Sequence, residues 1–171
     1  QSFFFMPLFG LNNATISIIA FNYGARKPER MTKTLKIACG AAFLFMLVGL
    51  ASFQLLPAAL LGMFNPTDEF MHMGVKALRI ISISFPIAAF GIILSASFQA
   101  LGNGIYSTLV SLCRQLVVLL PVAYLLSLTG DVNSVWWSFP IAEVVSLAVT
   151  LLLYRRLYRK KISPLFGGSA A

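Results

Sequence analysis

Between Ile105 and Ser127 the chain reads IYSTLVSLCRQLVVLLPVAYLLS, with Arg114 its single charge. At about 1.5 Å per residue, such a run is long enough to cross a hydrocarbon layer of ~30 Å. It does not alternate apolar and polar residues with period two, so it is not a strand of a transmembrane barrel. Lipid offers backbone groups no hydrogen-bond partners, so a spanning segment has to satisfy them internally, as a helix does. This stretch therefore predicts a transmembrane helix.

Working outward, four similar runs follow the same logic: Ser2 to Tyr23, Leu35 to Leu61, Phe70 to Leu101 and Val135 to Tyr154. Composition agrees. Of 171 residues, 58% are apolar and 11% are charged, with a mean hydropathy of +0.86. Soluble domains carry roughly 25% charge. This rules out an ordinary soluble enzyme domain, a disordered chain and a disulfide scaffold. The expectation is an all-α membrane protein, a bundle of about five transmembrane helices. The helices are expected at about 2–23, 35–61, 70–101, 105–127 and 135–155 of a single unit spanning 1–161. Residues 162–171 read as a cytoplasmic tail or a cloning remnant. The links are short and rich in Gly and Pro, so neighbouring helices run antiparallel. They are Gly24 to Arg30, Asn65 to Glu69, Gly102 to Gly104 and Thr129 to Ser134.

Charge orients the bundle. There are 13 Lys and Arg against 5 Asp and Glu, a net of +8. Arg26, Lys27, Arg30, Lys33 and Lys36 flank the first link, and Arg155, Arg156, Arg159, Lys160 and Lys161 the last helix. With five spans both groups fall on one side, opposite Asp68, Glu69 and Asp131. The positive-inside rule makes that side cytoplasmic, and no nucleic-acid partner is needed to explain the charge. Trp136 and Trp137 then mark the outer interface, and Tyr23, Tyr106, Tyr154 and Tyr158 the inner one. Lys76 and Arg79 are expected to stand above the membrane on a long third helix. Cys39, Cys113 and the lone His72 have no metal or disulfide spacing.

Several stretches carry a family resemblance. Asn22-Tyr23-Gly24-Ala25-Arg26, with Arg30 four residues on, closes a helix that contains Pro7, Gly10 and Ala14. Others are Ala77-Leu78-Arg79-Ile80, Phe98-Gln99-Ala100-Leu101-Gly102, Ser111-Leu112-Cys113-Arg114, Leu120-Pro121, and Trp136 with Pro140-Ile141-Ala142-Glu143. Together, from Pro7 to Lys161, they resemble the second half of the multidrug and toxic compound extrusion (MATE) transporters. The resemblance implies twelve helices in two six-helix lobes, of which this chain supplies helices eight to twelve, most of the C-terminal lobe. It implies a secondary active antiporter that exports organic cations, drugs or toxic metabolites by alternating access. The energy source would be a proton or sodium gradient, with no cofactor or metal. The implied partners are the missing N-terminal lobe, membrane lipid and a small amphipathic or cationic substrate. The implied location is a bacterial cytoplasmic (inner) membrane, multi-pass, with a cytoplasmic C-terminus. One departure stands out. Some members place a cation-binding carboxylate on the helix matching Phe70–Leu101, and this sequence has no Asp or Glu from Phe70 to Gly130.

Ionisable groups at membrane depth are costly and mark candidate sites. Arg114 lies ~20 Å from the outer end of the fourth helix and Glu143 ~14 Å into the fifth. An Arg side chain spans that difference, so a direct or networked pair is expected, either a clamp between the last two helices or a protonatable coupling site. Small polar stripes occur at helical spacing: Gly10, Asn13, Ser17 and Ala20; Ser84, Ala88, Gly91, Ser95 and Gln99; Ser107, Ser111 and Gln115; Glu143, Ser146 and Thr150. They indicate close helix packing or a water-lined cavity. Asn12, Asn13, Ser17, Ser95 and Gln99 are the polar cavity candidates. Phe85, Phe90 and Phe98 are candidate aromatic walls for a flat cation. Pro86 and Pro121 are expected helix kinks.

Three other functional classes compete with this reading. A membrane enzyme needs clustered His, Asp, Glu or Cys at chemical spacing, and the sequence shows none, so no catalytic residue is assigned. A lipid-linked oligosaccharide flippase of the same superfamily tends to carry a larger basic cavity, whereas only Arg114 is deep here. A non-transporting membrane interaction subunit is the third.

Overall fold

The structure, a computed structural model, describes residues 2–63 and 67–167. Asn65 and Pro66 of the second link and Gly168 to Ala171 of the tail lie outside the described residues. The first helix, α1 (Ser2–Gly24), ends in a reversal built by backbone bonds. Lys27 N–H donates to Asn22 O at 2.9 Å, and Arg26 N–H to Tyr23 O at 3.1 Å. This paired closure requires a left-handed residue between the last turn and the exit. Arg26 fills that place at φ 51°. The same closure ends α5 (Phe85–Ala100), where Gly102 takes φ 73° and Asn103 N–H reaches Phe98 O at 2.7 Å.

The second helix begins earlier than its apolar run. α2 covers Pro28–Leu55, with Pro28 in its first turn and Glu29 beside it. A proline there loses no bond, because the first helical N–H groups have no partner in any case. Arg30 and Lys33, ahead of the expected start at Leu35, therefore lie on helix with Lys36. The expected stretch to Leu61 is interrupted at Leu56, and a short α3 (Pro57–Gly62) follows.

The third span is broken rather than kinked. α4 (Asp68–Ser82) and α5 meet at 48°. Pro86 lies in the first turn of α5 and brings no N–H to the chain behind it. Side-chain donors gather on the carbonyls just ahead of the break, where Ile81 O also accepts Ser84 N–H at 3.0 Å. Ser84 Oγ donates to Ile81 O at 2.6 Å, and Ser82 Oγ to Arg79 O at 2.9 Å. Gln54 reaches across from α2, its Nε2 donating to Arg79 O at 2.9 Å and to Ser82 Oγ at 3.2 Å. Lys76 and Arg79 are both exposed on the surface of the bundle.

The fourth span runs unbroken from Gly104 to Ser127. It passes from α6 (Gly104–Leu112) through a π-wound stretch, Cys113–Leu119, into α7 (Leu120–Ser127). Leu120 N–H bonds Gln115 O, five residues back. Unwinding just ahead of Pro121 accommodates its ring without a sharp bend. Asp131 starts the turn into the last span; its carboxylate accepts from Asn133 N–H at 3.0 Å. That bond holds the carboxyl below its ordinary range. A short α8 (Val132–Val135) leads to α9 (Ser138–Leu157). Helix continues past the expected end at Arg155, through π-wound Tyr158–Ile162 into α10 (Ser163–Gly167). The start of the expected tail is thus ordered helix, and Leu165 and Phe166 face the first link across a shared hollow.

Among the described residues, four helices are long and apolar enough to span a membrane, and five spans result when the bent pair counts as one. α5 is the central element and packs on α1, α2 and α9. Its Phe85 is fully buried and meets Phe53 at 5.3 Å and, edge-on, Phe5 at 5.4 Å between ring centroids. Gly49 admits this close approach: a Cβ there would lie 3.2 Å from the Phe85 ring. In lipid such contacts stabilise through dispersion and fit, not through removal from water. The two basic regions gather at one end of the bundle. Lys36 lines a groove with Arg155 and Arg159, and Lys161 Nζ donates to Leu101 O at 2.7 Å.

Two outcomes follow from these irregular points. A non-glycine residue in the left-handed region costs roughly 1–2 kcal/mol. Arg26→Gly should therefore raise the detergent melting temperature of the full-length protein, by about 1 kcal/mol of stability after the added chain entropy. Gln54→Leu should lower it by about 1 kcal/mol, because the break between α4 and α5 loses its cross-helix donor. An unchanged melting point would deny that Gln54 holds the break together.

Candidate functional site

Four spans converge on a hollow of about 170 Å³. α1 contributes Phe5, Phe9 and Asn12, which share one face at spacings of four and three. α5 contributes Gly91, Ser95 and Gln99, and α6 contributes Ser107 and Ser111. Arg114 in the π-wound stretch and Glu143 with Ser146 on α9 complete the wall. A second hollow of about 510 Å³ adjoins it, lined by Phe5, Phe9, Gln115, Leu119 and Phe139 among others. Arg114 and Glu143 border both. The smaller volume suits water or a small polar group; the larger lies within the ~300–1,000 Å³ typical of small-molecule sites.

The two deep charges meet directly. Arg114 Nη1 donates to Glu143 Oε1 at 3.0 Å, the one ion pair among the described residues. The Glu143 side chain is 17% exposed and that of Arg114 32%, so the pair is partly desolvated. The π winding helps to aim it. A π turn takes more than the α-helix's 3.6 residues, so successive side chains advance by less than ~100°. Over seven residues this lag brings Gln115 and Leu119 back toward the face of Ser107 and Ser111.

Polar groups in the smaller hollow are incompletely used. Gln99 Nε2 donates to Ser107 Oγ at 3.1 Å. Asn12 is buried at 9% exposure, and its Oδ1 has no hydrogen-bond partner among the described residues. A buried acceptor without a donor is costly, so Asn12 offers a ready site for a donor from water or ligand. Chemically, the wall combines two aromatic faces, an unpaired amide oxygen, hydroxyls and a neutralised charge pair. That set can hold the polar end of an amphipathic molecule.

Of the residues singled out from sequence, Asn12, Ser95, Gln99, Arg114 and Glu143 come together here. Asn13 and Ser17 do not. Both are exposed, as are Gly10 and Ala20, and Ser17 Oγ is bonded back to Asn13 O at 3.2 Å. The small-residue face of α1 therefore points away from this hollow, and its buried face carries Leu8, Asn12, Thr15 and Ile19. Phe85 is corrected from cavity wall to core, where its ring is enclosed by Phe4, Phe5 and Phe53. Phe98 is likewise fully buried, edge-on to Tyr106. Pro86 lies at the break between α4 and α5, and Pro121 follows the π-wound stretch. Sequence reading missed Phe5, Phe9, Leu119 and Phe139. The spacing of Phe5, Phe9 and Asn12 along one helix face was the available signal.

Comparisons with known proteins agree with this architecture. The MatE family model matches residues 1–125. The multidrug export protein MepA of Staphylococcus aureus is 24% identical over 148 residues, covering 86% of this chain and 32% of that protein. MepA of Staphylococcus haemolyticus is 22% identical over 146 residues, 85% of this chain and 32% of its own. The chain thus spans about a third of the length of these relatives. Among solved structures, an inward-facing multidrug resistance MATE transporter of the MOP superfamily superposes with a TM-score of 0.87 at 26% identity, covering 99% of this chain and 39% of that one. An outward-facing one gives 0.85 at 26% identity, over 98% and 37%. The MATE multidrug transporter DinF-BH, solved in complex with a ligand, gives 0.82 at 31% identity, over 94% and 36%. With residues 1–125 matched by the family model, the chain belongs to the MatE family.

Proposed function

We propose that this chain supplies most of the C-terminal lobe of a secondary active transporter, which exports organic cations and other amphipathic compounds in exchange for protons or sodium ions. The observation that carries the reading is the pair of adjoining hollows joined by Arg114 and Glu143 within the spans. Phe5 and Phe9 offer aromatic faces to a flat cation, and Asn12 Oδ1 offers an acceptor. The likeness to inward-facing and outward-facing structures is nearly equal, at 0.87 and 0.85. That supports a lobe which keeps its internal shape while two lobes rock against each other. The clustering of cationic residues at one end supports a cytoplasmic placement of that end and of the C-terminus, in a bacterial cytoplasmic membrane.

The Arg114–Glu143 pair acts as a clamp between the last two spans in this proposal. Glu143 is the one carboxylate set away from span ends and links, and its charge is already answered by Arg114. The coupling ion is then handled by the other lobe.

Efflux of a fluorescent organic cation from cells that express the full-length gene, with and without a sodium gradient, tests the transport reading. Asn12→Leu should raise the half-saturating concentration about fivefold, the worth of one hydrogen bond. Asn13→Leu should stay near wild type. Equal effects at the two positions, or no efflux above cells lacking the gene, would overturn the site.

The clamp has its own test in detergent melts. Glu143→Gln or Arg114→Gln alone should destabilise by about 1–3 kcal/mol, since each strands a partner. The double substitution should recover at least half of the summed loss. Glu143→Gln should still exchange drug for protons. Abolished exchange with an unchanged melt would make Glu143 the coupling group instead.

A further inference from the structure

The end of the bundle that gathers the cations also carries a built groove, distinct from the hollows around Arg114. α5 packs between α2 and α9, and over it a groove of about 540 Å³ opens to the side of the bundle. Its rim holds Lys36 from α2 and Arg155 and Arg159 from the last span. None of these three makes a side-chain hydrogen bond or ion pair among the described residues. Lys161 differs, because its ammonium is already committed to Leu101 O at 2.7 Å.

Below the rim the lining changes character. Leu35 and Leu94 are buried apolar floor, and Cys39 lies one turn deeper along α2 than Lys36. Tyr154 and Tyr158 stand at the boundary, their rings 6.1 Å apart. Phenols at the join of a cationic rim and an apolar wall are the side-chain pattern of a membrane interface. A soluble anion would use the rim and leave the apolar wall unmatched. A zwitterionic lipid would bring a fixed cation against three others.

We propose that this groove binds one anionic glycerophospholipid of the phosphatidylglycerol type. Its phosphodiester sits among Lys36, Arg155 and Arg159, and an acyl chain lies along Leu35, Cys39 and Leu94. Guanidinium groups suit the phosphate oxygens through paired hydrogen bonds, and basic pockets between spans are recognised headgroup sites. The site needs no particular direction of transport, so it stands or falls apart from the efflux reading.

The test is native mass spectrometry of the full-length transporter in detergent, titrated with palmitoyl-oleoyl phosphatidylglycerol and with the matching phosphatidylcholine. Wild type should retain phosphatidylglycerol at least about tenfold better. Lys36→Gln, Arg155→Gln and Arg159→Gln together should erase that preference. Arg26→Gln, Lys27→Gln and Arg30→Gln together remove equal charge from the same end, outside the groove, and should keep it. Cys39→Phe fills the apolar wall without touching the rim and should weaken retention several-fold. Millimolar inorganic phosphate should not displace the lipid. Equal losses from the two triple variants would reduce the effect to surface charge and overturn the proposal. Retained preference in the groove triple, or displacement by phosphate, would overturn it as well.

Discussion

Every backbone N–H and C=O placed at membrane depth has to find its partner inside the protein, and this fold is organised around that requirement. Regular helix meets it along most of the chain. Where regularity stops, side chains and altered winding take over. At the break between α4 and α5, the carbonyls of Arg79 and Ile81 are taken by Ser82, Ser84 and Gln54. At the end of α5, Leu101 O is taken by Lys161, 60 residues away in sequence. The Gln54 and Lys161 bonds each tie one span to another, so repair of the backbone there becomes tertiary structure. The bend is thus held by α2, and the C-terminal end of α5 by the last span.

The same requirement shapes the site. Pro121 denies the fourth span one hydrogen bond, and the chain answers with π winding over Cys113–Leu119. That winding carries Arg114 and turns Gln115 and Leu119 toward the hollows. A straight α-helix would have sent Leu119 to another face. The irregular backbone is therefore what lets one helix line both the small polar hollow and the larger apolar one.

Spans, their antiparallel order and the Arg114–Glu143 contact were legible because hydropathy and deep charge are properties of short segments. The beginning of α2 was less so. Arg30 and Lys33 look like loop when composition alone is read, yet Pro28 at a helix start was the local sign. The face of α1 was harder still. Gly10, Asn13, Ser17 and Ala20 form a coherent stripe, but so do Phe5, Phe9 and Asn12. Periodicity gives the faces of a helix without saying which one meets a neighbour. Phe85 illustrates the same limit: among 15 phenylalanines, only packing separates core ring from cavity wall. The break at Ser82–Ser84 depends on a glutamine 28 residues upstream of Ser82, and no local pattern announces it.

Electrostatics sets what these helices can do for a charged guest. Within the spans Arg114 and Glu143 cancel, so the hollows carry dipoles and ring faces but no net charge. A cation entering from water loses hydration worth far more than one or two cation–π contacts of ~0.5–2 kcal/mol return. For such a substrate the balancing negative charge has to come from outside these residues, or from Glu143 once Arg114 swings away. The second route costs the broken pair and leaves a guanidinium without an acceptor, so it is favourable only if the guest replaces Arg114 at Glu143 while something else receives the arginine. The unpaired Oδ1 of Asn12 lies in the wall of the same hollow as Arg114. It is an acceptor that would lower the cost of that exchange without adding a charge to the site.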